Sequence, residues 1–276
     1  MKKFTTKQNA KLNITLDVFE KNGEFHPINS FCVPISLCDK ITVKKRKDNK
    51  IILKEKGIKT GVDMQKNNAY RAAELFLKEK GGTGVDIIIK KNIPLSSGLG
   101  GSSADVSGVI TCMEKLFNKS GVDLLPRLGS DTTFTYYKKQ AVLKGKGDFV
   151  EFTDFNFNGY ALIITDKTPI LSKRAYKVFD EMEKRPLPCT DKVIELLREN
   201  KNCYSLFKND LQEPVISILP ILSEKIENLD SVGSLKSQVT GSGSAVYGIF
   251  KDEKSLNKAK RQLRKKYKNH LIKVKF

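Results

Sequence analysis

The stretch NIPLSSGLGGSSADVSGVI, residues 92–110, sets Gly98, Gly100 and Gly101 within four positions, flanks them with serines and runs on into apolar sequence. Just upstream, VDIIIKKNIP (85–94) has the pattern of a strand. The order is therefore strand, glycine turn, helix, with the helix predicted from about Ser103 onward. Glycine lacks a Cβ and takes φ > 0 at little cost, so successive backbone N–H groups of such a turn can converge on one point. The helix behind it adds unpaired N–H groups and the positive end of its dipole. That combination suits a phosphate, although a ligand-free strand-to-helix turn would use glycines too. The stretch is not GxxxxGK followed by Ser or Thr, because no lysine follows the glycines, and it is not GxGxxG on a first strand. The cation that offsets the phosphate charge has to come from elsewhere.

Around this turn the chain alternates β and α signals. KLNITLDVF (11–19), KITVKK (40–45) and KIILKE (50–55) are predicted strands, and NNAYRAAELFLKEKGG (67–82) is a helix ending in paired glycines. QAVLKGKGDFVEF (140–152) and GYALIITD (159–166) supply further strands, and helices are expected roughly over 172–183, 191–200 and 213–228. After SQVTGSGSAVYGIF (237–250), Leu256, Ala259, Leu263 and Tyr267 recur at helical spacing, and LIKVKF closes the chain as a strand. A length of 276 residues suits two modest α+β domains, divided near residue 152 into 1–152 and 153–276.

Bulk properties narrow the function classes. No run of about 18 apolar residues is present, and MKKFTTKQNAKLNITL has no apolar core or small-residue cleavage site, so a cytosolic protein without a membrane partner is expected. Five cysteines without CxxC spacing argue against a disulfide framework or zinc site. The net charge of +19 would serve an RNA binder, yet it is mostly lysine spread along the chain with few interleaved aromatics. A solvated lysine-rich surface, or a field that draws in anionic substrates, accounts for it without nucleic acid.

PLSSGLGGSSAD (94–105) resembles the phosphate loop of the GHMP small-molecule kinases, and two more of their signatures stand in the same order: NAKLNITLDV (9–18) and VTGSGSAVYGIF (239–250). Within that family AKLN (10–13), FH (25–26), GSDTTF (129–134), GKGD (145–148) and NDLQEP (209–214) look most like the members that phosphorylate a methylerythritol hydroxyl on a cytidine diphosphate ester. The resemblance covers nearly the whole chain. It implies an α+β fold of two domains, ribosomal-S5-domain-2-like then ferredoxin-like, with the active site in the cleft between them. It also implies ATP with Mg²⁺, and a small-molecule substrate.

Residue by residue, the resemblance gives Asp131 the role of base and Lys11 that of its companion cation. A lysine makes an adjacent carboxylate a weaker base, but it stabilises a forming alkoxide and the phosphoryl oxygens, and loose phosphoryl transfer needs little basicity. Read alone, Lys11 is an ordinary strand lysine and Asp131 a turn or N-cap residue. Pro94, Ser97, Gly98, Leu99, Gly100, Gly101, Ser102 and Ser103 match the nucleotide loop, with Ser103 the implied protein contact of Mg²⁺. Asn67 is expected near the adenine and Asn13 near the substrate hydroxyl. Phe25 and Tyr176 match rings that sandwich the cytosine, His26 matches the residue that bonds its edge, and Gly241 and Gly243 match the backbone beside the diphosphate. A mevalonate- or homoserine-type kinase is the nearer alternative, a basic RNA-binding protein of related fold the more distant one. The chain departs from the family pattern at GEFH, where Asp-Gly-Tyr-His is usual. It also departs at Thr133 for proline, at Lys138 and Lys139 for a glycine pair, and at Ser102 for a third loop glycine.

Overall fold

The structure is a computed structural model that describes residues 2–183 and 186–276. Its first elements are β1 (Lys3–Asn13), β2 (Asp17–Val18), β3 (Ile28–Lys45), β4 (Ile51–Gly57), α1 (Asn68–Lys80), β5 (Val85–Lys91) and α2 (Gly101–Phe117). Then come α3 (Leu125–Leu128), α4 (Thr132–Tyr137), β6 (Ala141–Gly145), β7 (Phe149–Phe152), β8 (Tyr160–Ile164), α5 (Ser172–Asp180) and α6 (Thr190–Arg198). The last are α7 (Gln212–Ile218), α8 (Ile221–Ser231), β9 (Lys236–Val239), β10 (Val246–Phe250), α9 (Glu253–Tyr267) and β11 (Leu271–Lys275). None of the described helices is long and apolar enough to cross a membrane.

Contacts group the chain into two units, each assembled from several stretches. The first holds the chain through Ala10 with Leu37–Leu95 and Gly100–Lys139; the second holds Lys11–Ser36, Ser96–Leu99 and the chain from Gln140. In the first unit β5 pairs in parallel with β4 and antiparallel with the C-terminal part of β3, in the register Ile41↔Ile89 and Leu53↔Ile87. A parallel pair needs a crossover, and α1 lies between β4 and β5 in the chain to provide it. Alternation along β5 buries Val85, Ile87, Ile89 and Lys91 on one face, where the first three join Phe76 of α1 and Val106, Val109 and Ile110 of α2 in one core.

In the second unit the N-terminal part of β3 pairs with β6, and β6 with β7, all antiparallel. A separate antiparallel sheet runs in the order β11-β8-β10-β9. Its Leu162, Ile164, Val246 and Phe250 share a core with Leu222 and Leu229 of α8 and Leu256 and Leu263 of α9.

Local departures from the sequence reading have physical causes. The pattern over 11–19 is not one strand: the N–H groups of Ile14 and Thr15 both point to the Phe31 carbonyl, at 2.8 and 3.4 Å, a bulge that ends the regular ladder before β2. The helix expected over 213–228 is two helices, because Pro220 disfavours helical geometry at Leu219 (φ −139°, ψ 82°) and brings no N–H of its own. Helix α2 starts at Gly101, two residues before the predicted Ser103, with Gly100 in the left-handed region (φ 73°) as its N-cap.

Candidate active site

The glycine turn connects β5 to α2. Gly98 and Gly100 take φ of 75° and 73°, and Ser96 (φ 48°) is also left-handed. These angles turn the chain sharply into α2, whose first-turn N–H groups, from Gly101, Ser102 and Ser103, have no intrahelical acceptors. No side chain caps this helix. Ser102 is exposed and accepts a hydrogen bond from Asn68 Nδ2 at 3.0 Å, while the Ser103 carbonyl accepts one from Thr135 Oγ1 of α4 at 3.1 Å. Pro94 is half-buried ahead of the turn, and Ser97 and Leu99 are buried within it.

The part of the turn belonging to the second unit is stitched to the closing glycine motif and to β1. Ser96 and Ser97 carbonyls accept the N–H groups of Ser244 and Ala245, and the Leu99 carbonyl accepts that of Lys11 at 3.0 Å. Gly241 and Gly243 take φ of 54° and 74°. A Cβ on Gly241 would lie 3.3 Å from both the Asn13 side-chain oxygen and the Gly98 carbonyl oxygen. Lys11, Asn13, Ser97, Gly98, Leu99, Gly241 and Gly243 thus gather in one unit, from sequence positions more than two hundred residues apart.

Lys11 and Asn13 are both buried, on the same face of β1. The Lys11 ammonium donates to Asn13 Oδ1 at 2.5 Å, and the Asn13 amide donates to Ser30 Oγ at 2.8 Å and Cys32 Sγ at 3.2 Å. Asn13, expected near the substrate hydroxyl, is therefore seen orienting the lysine. Asp131 occupies the N-cap position of α4 but makes no side-chain capping bond there, so capping does not account for its carboxylate. Thr135, one turn on, bonds both the Asp131 carbonyl and the Ser103 carbonyl, which ties α4 to the start of α2. Thr133 stands in the first turn of α4, where a proline is also tolerated because that N–H has no helical acceptor, and the helix forms with threonine.

Asn67 is the N-cap of α1. Its Oδ1 accepts the Ala69 N–H at 2.9 Å and its Nδ2 donates to Glu55 at 3.2 Å, a helix-capping role that sequence had not assigned to it.

The three expected base-binding residues lie in the second unit. Phe25 is 57% exposed, with the Lys146 ammonium 5.7 Å from its ring centre. His26 is buried: Nδ1 donates to the Phe19 carbonyl at 2.8 Å, Nε2 lies 3.0 Å from Asp180 Oδ1, and the ring stacks on Tyr176 at 5.3 Å and 15°. Tyr176 also packs against Leu16, Val18, Phe179 and Leu211. Both imidazole nitrogens have protein partners, so a base edge would have to take the place of one. Asp180, 39% exposed, is the exchangeable partner; the Phe19 carbonyl belongs to the backbone.

Sequence reasoning missed the supports of the closing motif. Asn209, quoted in NDLQEP without a role, is buried and donates to the carbonyls of Val239 and Gly241 at 2.9 and 2.8 Å while accepting the Leu211 N–H. Thr240 accepts the Asn13 N–H on its hydroxyl at 3.2 Å. No local pattern distinguishes either residue. Lys91 was legible in principle, since it continues the buried alternation of Val85, Ile87 and Ile89.

Two family models match the chain: GHMP kinases N terminal domain over residues 67–135, and GHMP kinases C terminal over residues 189–269. A protein of Staphylococcus aureus (strain MRSA252) named putative 4-diphosphocytidyl-2-C-methyl-D-erythritol kinase is 33% identical over 255 residues, covering 88% of this chain and 89% of its own. A crystal structure of 4-(cytidine 5'-diphospho)-2C-methyl-D-erythritol kinase matches with a TM-score of 0.82 at 23% identity, over 99% of this chain and 98% of that one. A homoserine kinase from Cytophaga hutchinsonii ATCC 33406 matches with a TM-score of 0.74 at 17% identity, over 100% and 94% of the two chains. The structural likenesses bear out the expected two-domain α+β fold. With both halves of the family pattern matched in order, and 33% identity over 88% of the chain to one relative, the chain belongs to the GHMP kinase family.

Proposed function

We propose that the protein transfers the γ-phosphoryl group of ATP to the 2-hydroxyl of 4-diphosphocytidyl-2-C-methyl-D-erythritol, in the non-mevalonate route to isoprenoid precursors. The observation that carries this reading is the 33% identity, over nearly the full length, to a relative named for that activity. His26, stacked on Tyr176 in the fold and preceded in the chain by the exposed ring of Phe25, supports a nucleobase-reading site that a kinase of small aliphatic alcohols does not need. In this reading residues 1–152 carry the nucleotide loop and residues 153–276 supply Tyr176 and the closing glycine motif. Both reactants are soluble small molecules, which suits an enzyme of the cytosol.

The step breaks the bond between the γ-phosphorus and the β–γ bridging oxygen as the substrate hydroxyl oxygen bonds to that phosphorus, with ADP leaving. The hydroxyl proton passes to the Asp131 carboxylate. Lys11, aligned by Asn13, offsets charge on the hydroxyl and phosphoryl oxygens. First-turn N–H groups of α2 and the backbone of Gly98–Gly101 hold the nucleotide phosphates. Among the described residues no three acidic, histidine or cysteine side chains gather as a metal cluster. The Ser103 hydroxyl, in the first turn of α2, would be the protein contact of Mg²⁺, which would supply further neutralisation of phosphate charge.

The test is ATP consumption with the cytidylyl ester, mevalonate and homoserine as separate substrates. Turnover confined to the cytidylyl ester is expected. Preferential turnover of mevalonate or homoserine would overturn the substrate assignment, and no turnover with any alcohol would overturn the kinase reading.

A further inference from the structure

Beneath the glycine turn, within the first unit, lies a group of charges that the proposed chemistry does not use. The Lys91 ammonium, at the end of β5, donates to Asp39 Oδ2 and to Asp105 Oδ2, both at 2.6 Å, and to the Gly101 carbonyl at 3.3 Å. All three charged residues are buried. Asp39, on β3, has its other oxygen occupied by the N–H groups of Asn92 and Ile93, at 2.6 and 2.8 Å. Asp105 stands in the second turn of α2, and its Oδ1 is buried without a hydrogen-bond partner among the described residues.

Each contact falls on one end of the turn. Asp39 holds the chain where it leaves β5, at Asn92 and Ile93. Asp105 and the Gly101 carbonyl belong to the helix on which the turn lands. Lys91 joins the two ends at a single ammonium group. Gly101 leaves just enough room, since a Cβ there would lie 3.3 Å from Lys91 Nζ and 3.0 Å from Ile93 Cγ2. Burying a lysine and two carboxylates is costly and is seldom a net source of stability. A well-packed apolar set would fill the same space at lower cost, so stability alone does not account for it.

We infer that Asp39, Lys91 and Asp105 form a positioning clamp that holds the start of α2 at a fixed offset from the end of β5, and so sets where the first-turn N–H groups of α2 present themselves to the nucleotide phosphates. None of the three is a catalytic residue. The inference rests on the proposed function for the identity of the ligand, but the clamp itself concerns the fold alone. Displacing phosphate-binding groups by about 1 Å costs on the order of 100-fold in a positioned reaction, which is the scale on which such a clamp acts.

The test is Asp105→Ala. It removes the charged tie to α2 and the unpartnered oxygen, leaving Lys91 balanced by Asp39 and joined to α2 only through the longer contact with the Gly101 carbonyl, so the unfolding midpoint is expected to hold or rise. At the same time exchange of the first amides of α2 that have helical acceptors, residues 104–107, should quicken. The KM for ATP should rise about 10- to 100-fold while the KM for the alcohol substrate stays put. A purely structural group would move stability and ATP binding in the same direction. Unchanged exchange over 104–107 overturns the clamp, whether or not the chain proves to use ATP. Faster exchange with an unchanged KM for ATP overturns its link to the nucleotide. Should Asp105→Ala fail to fold, Lys91→Met/Asp105→Leu replaces the pair by apolar groups and leaves Asp39 its two backbone donors. Recovery of both the midpoint and a wild-type KM for ATP in that double variant also overturns the clamp. A wild type that consumes no ATP is a separate result, which strikes the proposed function and leaves the exchange measurement to decide the clamp.

Discussion

A Cβ on Gly98 would fall 2.0 Å from the carbonyl oxygen of Thr240. No side chain fits there, and the φ of 75° at Gly98 disfavours any L-residue independently. The glycine turn and the closing glycine motif therefore approach each other this closely only because residue 98 is glycine. Gly98→Ala should cost at least about 1–2 kcal/mol of stability from backbone conformation alone, and it should raise the KM for ATP. Urea unfolding together with initial-rate kinetics checks both. Wild-type behaviour in each would mean that the loop relaxes freely and that its shape is not tuned.

Lys11→Ala and Asp131→Asn should each lower kcat by roughly two to four orders of magnitude, the scale of positioned charge-stabilising and proton-accepting groups. Single-turnover rates at saturating ATP separate this from weaker binding. A kcat within threefold or so of wild type in either variant would remove that residue from the chemistry.

His26→Ala should weaken binding of the cytidylyl ester by about 1–3 kcal/mol, because it leaves polar atoms on the base edge unpaired. The preference over a uridylyl ester should shrink while the KM for ATP is unaltered. An unchanged preference means that the base is read elsewhere, or that Nε2 stays with Asp180.

Phe25→Ala offers a contrast, since the ring is 57% exposed. Its removal should leave stability within about 0.5 kcal/mol yet weaken the cytidylyl ester by roughly 1–3 kcal/mol through lost stacking. Loss of stability without loss of ester binding would make Phe25 a packing residue.

The pH dependence of stability carries a signature of the clamp. Burial pushes the Asp105 carboxyl up to about 7, with Lys91 pulling it back and Asp39 adding to the rise. An unfolded aspartate titrates near 3.9 or so. Between those values the folded chain keeps a proton that the unfolded chain has released, so stability falls as pH rises from about 4 to about 7 and is level above. The slope from this one group is at most about 1.4 kcal/mol per pH unit. Asp105→Asn cannot titrate, so the difference in unfolding free energy, wild type minus variant, should decline across that window. A flat difference between pH 4 and 8, or one that rises, would show that Asp105 keeps an ordinary acidity.

Local order was written in the sequence. The strand, glycine turn and helix around residues 92–110, the helix ending at the paired glycines 81 and 82, and the spacing of Leu256, Ala259 and Leu263 all follow from periodicity and backbone permission, which act over a few residues. The family motifs also named the residues that carry the proposed chemistry. Tertiary structure decided which of those residues keep company. Ser96–Leu99 groups with Lys11 and the closing glycines, while Gly100–Ser103 groups with Asp131, a division that falls inside one short turn. The partners of His26, namely Phe19 and Asp180, and the orientation of Lys11 by Asn13 arise where separate strands and helices meet. Lys91 shows the limit most clearly: alternation along β5 points it into the core, but the cost of burying an ammonium is offset only by carboxylates from β3 and α2. Electrostatic pairing of that kind depends on distances through space, which the order of residues along the chain does not contain.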